Sequence, residues 1–117
     1  MSKFPKMNPK VRRAWVKALR SGKYKQGEEQ LRNENEDGDR MHCCLGVLCE
    51  VQGVRYENFA PTVPRPFAKK IGLFHPEDYF GGEWGKGVQG RLAKMNDGDG
   101  TPKRGFRAIA TWIEKNL

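Results

Sequence analysis

Glycine and proline cut this chain into short pieces, and that limits what it can build. Fourteen Gly and seven Pro are spread over 117 residues, and many fall where helices would start or stop. Asn8-Pro9 reads as an N-cap followed by proline at the first helical position, with Gly22 as the stop. Between them Val11, Ala14, Trp15, Ala18 and Leu19 recur at i, i+3, i+4, i+7 and i+8, which is one apolar face. Cys44, Val47, Leu48 and Val51 repeat the spacing, and Gly53 closes it. Pro66 to Ile71 predicts a short third helix ended by Gly72. Val88, Leu92 and Met95 predict a fourth, stopped at Asn96-Asp97-Gly98. Thr101-Pro102 reads as a second cap pair, leading to a last helix with Phe106, Ile109, Ala110, Ile113 and Leu117 on its face.

The rest is turn and loop. Asn35-Glu36-Asp37-Gly38-Asp39 is strong turn chemistry between Gln30–Asn33 and Arg40–Cys43, so a short hairpin is expected. Val54 to Pro66 holds three Pro and reads as loop, and His75 to Lys86 reads as an irregular Gly- and aromatic-rich loop. The expected class is therefore α+β and mainly helical, with about five short helices around one core and a small β-hairpin. Trp15, Leu19, Leu45, Leu48, Phe67, Leu92, Ile109 and Ile113 are the expected core. Residues 1–7 are expected as a flexible basic arm and 8–117 as one small globular domain.

Charge is blocked rather than mixed. Met1 to Lys25 carries nine Lys or Arg and no acid, whereas Gly27 to Arg40 carries six acids and two Arg. The formal net charge is +8, which favours a polyanionic partner. No apolar run approaches the ~20 residues that span a bilayer, so no membrane partner is expected. No apolar stretch follows the first charges, so no secretory signal is expected either. Three cysteines cannot complete an intrachain disulfide framework, and a reducing compartment with free thiols is expected.

Several motifs together resemble a family of small proteins found in bacteriophages and bacterial genomes. They are Ala18-Leu19-Arg20-Ser21-Gly22, Tyr24 and Gln26-Gly27, then Cys43-Cys44-Leu45-Gly46-Val47-Leu48-Cys49. Leu92, Asn96-Asp97, Phe106, Ile109-Ala110 and Ile113-Glu114 complete the pattern. The chain departs from it in a longer acidic turn and in Met95, where the pattern has Leu. The resemblance implies a bacteriophage or bacterial source and the cytoplasm of an infected host. It implies no reaction.

Each candidate site has a plain structural alternative. Cys43 sits where a strand should pass into a helix, and a helix N-terminus lowers a thiol pKa. Gln26 would supply an oxyanion donor and His42 or His75 a base. Yet His42 adjoins Cys43, and neighbours on a strand point to opposite faces. Cysteine also packs as a small hydrophobe, so catalysis is not expected. Cys44 is expected on the buried stripe, with Cys43 and Cys49 off it. No second C-x₂₋₄-C pair accompanies Cys44 and Cys49, so no metal is expected, and no cofactor motif is present. The glycines around Trp84 and Lys86 match no phosphate-binding fingerprint, although Tyr79, Phe80, Trp84 and Lys86 would make a contact patch. The first helix, with Lys10, Arg12, Arg13, Lys17 and Arg20 on its far side, is the strongest candidate for phosphate contacts.

The expectation is a small basic phage-type accessory protein that acts by binding. Its partner would be a host or defence component, a nucleic-acid-handling protein, or nucleic acid itself. Host takeover or anti-defence inhibition would be its role. A sponge for a small anionic nucleotide signal is one alternative, and a cysteine-dependent hydrolase or transferase is the other.

Overall fold

The computed structural model describes residues 4, 6–81 and 83–117. Its elements follow the glycine and proline punctuation closely. The first helix, α1 (Pro9–Arg20), starts where Asn8 Oδ1 accepts from the backbone N–H of Lys10 and Val11. Strands β1 (Lys25–Gln26), β2 (Arg32–Glu34) and β3 (Arg40–His42) follow. Helix α2 (Cys44–Gln52) ends at Gly53, which takes the left-handed conformation, with φ 64°, that L residues disfavour. Helix α3 (Arg65–Ile71), a 3₁₀ turn at Pro76–Asp78, α4 (Val88–Asp97) and α5 (Phe106–Asn116) complete the chain. The fold is α+β and mainly helical.

The expected hairpin forms from β2 and β3, pairing Arg32 with His42 and Glu34 with Arg40. Asn35 holds its turn, because its Oδ1 accepts from the N–H of Asp37 and of Asp39. The sheet also has a strand the sequence did not announce. β1 pairs in parallel with β3, giving the order β1-β3-β2. Two residues are too few to carry an alternation signal.

α2 is the central helix. All six residues from Cys44 to Cys49 are buried, so Cys49 is core rather than off the stripe. Gly46 lets the strand side approach. A Cβ built there would lie 1.9 Å from the Leu31 carbonyl oxygen. α1 packs on α5 and α2, and the Trp15 indole N–H donates to the Cys44 carbonyl (2.8 Å). Of the expected core, Phe67 alone is only partly buried; the other seven residues are buried.

Two further expectations change. The Thr101-Pro102 pair does not cap the last helix, which starts after Gly105. Arg104 explains the delay: its N–H donates to the Met95 carbonyl (2.8 Å) and its own carbonyl accepts from Gln26 Nε2 (2.8 Å). The segment is thus tied to α4 and β1 before α5 can begin. The basic arm expected over residues 1–7 does not reach Met7, which is 1% exposed and donates its N–H to the Leu117 carbonyl. Phe4 packs on Trp112 (ring centroids 5.8 Å), while residues 1–3 and 5 of that arm lie outside the described residues.

Candidate functional site

Several of the motif residues, Gln26, Gly27, Cys44 and Asp97, meet around another, Asn96. This side chain is fully buried at the end of α4. Its Oδ1 accepts from the Cys44 N–H (3.2 Å) and from Gln26 Nε2 (3.0 Å). Its Nδ2 donates to the Gly27 carbonyl (2.7 Å) and to Asp97 Oδ1 (2.9 Å). Asp97 Oδ1 also accepts from the N–H of Glu29, whose φ of 70° is unusual for a residue with a side chain. One amide thereby joins α4, β1 and the start of α2. Buried polar groups need such partners, and Asn96 supplies them to backbone atoms that have few alternatives.

The candidate thiol, bases and oxyanion donor each have other partners. Cys43 precedes α2 and is 5% exposed, so it is not the solvent-facing thiol that its off-stripe position suggested. Burial pushes its pKa up to about 11, against the smaller opposing effect of the Gly46 and Leu45 N–H groups. Burial pushes Cys49 up to about 12 and Cys44 well above the usual thiol value. His42 is 6% exposed. Its Nε2 lies 3.3 Å from Glu50 Oε1, and its ring meets Tyr24 edge-on. Burial holds its pKa down despite Glu50, so the ring is neutral at pH 7. Gln26 spends its donors on Asn96 and the Arg104 carbonyl. His75 accepts from the Glu77 N–H and serves as a local cap. His42 is thus taken up by Glu50 and Tyr24, Gln26 by Asn96 and the Arg104 carbonyl, and His75 by Glu77.

The glycine-rich loop also has an internal use. Asp78 Oδ2 accepts from the Gln89 N–H (3.0 Å) and Oδ1 from the Gly90 N–H (2.9 Å). The protein's own carboxylate thus sits at the α4 N-terminus, where a bound phosphate would otherwise go. A Cβ on Gly87 would lie 2.2 Å from Asp78 Oδ1, so glycine there admits the carboxylate.

The aromatic patch divides. Tyr79 donates its hydroxyl to the Val63 carbonyl, accepts from Gln89 Nε2, and stacks on Phe74 at 5.6 Å. Its ring lines an open groove of about 710 Å³ with Tyr56, Arg55 and Arg65. Phe80 is 60% exposed, with the Arg65 guanidinium 5.5 Å from its ring centre. Trp84 lines a different cleft with Cys43, Glu29, Asp97 and Asp99. Lys86 pairs with Glu83 (3.1 Å). The loop expected at 54–66 thus forms a groove wall. Its three prolines were legible in the sequence, but not the long-range bonds from Tyr79 and Gln89 that fold it into a wall.

The five bases of α1 fare differently from one another. Arg20 is tied to α5, with its guanidinium 2.5 Å from Glu114 Oε1 and 3.3 Å from Thr111 Oγ1. Arg12 is half-buried. Lys10, Arg13 and Lys17 are exposed, and none forms an ion pair among the described residues. They fall at i, i+3 and i+7 and share one side of the helix.

A small mainly helical domain with a buried amide brace and an unpaired basic face is the class these observations define. The family model of DUF8296, a domain of unknown function, matches residues 7–65, and the chain belongs to that family. The match takes in α1, the sheet and α2. No curated protein and no solved structure matches. Among the described residues, no helix is long and apolar enough to cross a membrane.

Proposed function

We propose that this protein is a non-catalytic binding protein, and that its α1 face engages the phosphates of nucleic acid. The observation that carries this reading is the exposed, unpaired set Lys10, Arg13 and Lys17. They span about 10 Å of helix axis at 1.5 Å per residue. Duplex DNA carries one charge per ~1.7 Å, so such a row meets several phosphates at once. Backbone contacts of this kind are independent of sequence. The buried thiols, and the engagement of His42 by Glu50 and of Gln26 by Asn96 and Arg104, favour binding over catalysis. An accessory role in the cytoplasm of a phage-infected bacterium, directed at host or defence nucleic-acid handling, fits this reading and the motif resemblance.

Fluorescence anisotropy with a labelled duplex and a labelled single strand tests it. Arg13→Glu with Lys17→Glu is expected to abolish binding at low salt, because both changes face solvent and leave the core intact. Undetectable binding of the native protein, or binding unchanged by the double reversal, refutes the reading. A protein target is the second reading, favoured by Phe59 and Phe80, which are 69% and 60% exposed. Aromatic side chains are enriched at the contact surfaces of protein partners.

A further inference from the structure

A second cluster of bases lies away from the proposed α1 contact row, and it forms a cleft rather than a row. Arg91, Lys94, Arg104 and Trp112 line a space of about 410 Å³ between α4, the 99–104 segment and α5, with Asp99 and Thr101 at its side. None of the three bases forms an ion pair among the described residues. Three basic residues and one acidic residue line the space, an excess of two positive charges. Unpaired like charges gathered in a cleft repel one another, and a bound anion relieves that repulsion.

The cleft is held in shape from outside. Arg104 is pinned on both sides of its peptide, by the Met95 carbonyl and by Gln26 Nε2. Lys94 runs its alkyl stem across Gly85, where a Cβ would come within 2.8 Å of the lysine Cε. Trp112 is half-buried in α5 and packs against the Phe4 ring. The Arg104 backbone and the Lys94 stem are therefore in place before any ligand arrives, which lowers the ordering cost of binding. A flat indole beside guanidinium groups suits a planar base joined to a phosphate, since aromatic faces stack bases and arginine grips phosphate in bidentate fashion.

We infer that this cleft binds a nucleoside phosphate, with the phosphate on Arg91, Lys94 and Arg104 and the base against Trp112. The same chemistry is presented by a free nucleotide and by an unpaired residue of a nucleic-acid strand. The inference does not depend on the α1 face.

Calorimetric titration of the full chain with AMP, GMP, CMP and UMP, their triphosphates and a short oligothymidylate tests it. Adenosine and inorganic phosphate are the controls. At least one nucleotide or the strand is expected to bind saturably at millimolar concentration or below, and to change the tryptophan emission of the native protein but not of Trp112→Phe. Arg91→Gln with Arg104→Gln should weaken that binding about tenfold or more, the scale of one lost charge-assisted hydrogen bond. Arg13→Glu with Lys17→Glu should leave free-nucleotide binding unchanged. Saturation by free nucleotides identifies a soluble ligand. Binding of the strand alone, sensitive to Arg91→Gln with Arg104→Gln, identifies an unpaired strand residue. No saturable binding of either, binding indifferent to that pair, or inorganic phosphate binding as tightly as any nucleotide overturns the inference.

Discussion

Replacing Asn96 by Ala should be among the most damaging single changes outside the apolar core. The substitution removes four hydrogen bonds at once. Two of the lost partners are backbone atoms of buried residues, the Cys44 N–H and the Gly27 carbonyl. A buried polar group left without a partner costs roughly 1–3 kcal/mol. Two such groups give about 2–6 kcal/mol. The Gln26 amide keeps its bond to the Arg104 carbonyl, and Asp97 keeps its bond from Glu29, so these add little. The expected loss is about 3–5 kcal/mol, a large part of the 5–15 kcal/mol that holds an ordinary domain together. Urea unfolding followed by tryptophan fluorescence measures it as a fall in the midpoint at unchanged slope. Asn96→Asp separates hydrogen bonding from packing. It preserves volume but sets a carboxylate oxygen against the Gly27 carbonyl and Asp97, so it should also destabilise. A loss below about 1 kcal/mol for Asn96→Ala, within the reach of ordinary substitutions, would refute the brace.

Other outcomes follow from the same packing. Gly46→Ala should leave little folded protein at 25 °C by circular dichroism, since its Cβ would collide with the backbone oxygen of Leu31 rather than with a side chain that can move. Ile113→Ala, at a fully buried site, should cost on the order of 2–4 kcal/mol in the same urea assay, whereas a loss below about 0.5 kcal/mol would place that face outside the core. All three thiols should react with a thiol reagent at pH 7 only as fast as the protein opens, because burial holds each pKa above the usual thiol value. Rapid labelling of native Cys43 would restore the enzyme alternative. Burial holds the His42 pKa below its unfolded value, so the unfolded chain takes up a proton the folded one refuses. Stability should therefore fall as pH drops below about 6.5, the unfolded histidine value, and His42→Gln should flatten that part of the profile.

Much of the fold was legible because its signals are local. Asn8-Pro9 and the left-handed glycines at positions 53, 72 and 98 mark helix ends within a residue or so. The misreadings share one physical origin, which is contact between distant segments. Thr101-Pro102 carries good capping chemistry, yet Met95 and Gln26 hold the neighbouring Arg104 out of a helix. Cys49 falls off a one-sided stripe, but the first six residues of α2 are all buried, so over that stretch the stripe has no outside. Among the candidate site residues, the burial of Cys43 was not legible, because it depends on segments distant in sequence. Nor was the capture of Arg20 by Glu114, since 94 residues separate them. The cationic cleft gathers Arg91, Lys94 and Arg104 with Trp112, and only the i, i+3 pair on α4 was visible as a neighbourhood before folding.

The central claim is that the unpaired bases of α1 bind nucleic-acid phosphates, and the salt dependence of that binding tests it most directly. Each neutralised phosphate contributes a slope of about −0.9 to log K against log salt concentration on duplex DNA. Lys10, Arg13 and Lys17 together predict a slope of about −3, and Lys17→Glu should reduce its magnitude by about 1. A slope near zero, or one that Lys17→Glu leaves unchanged, would contradict the account.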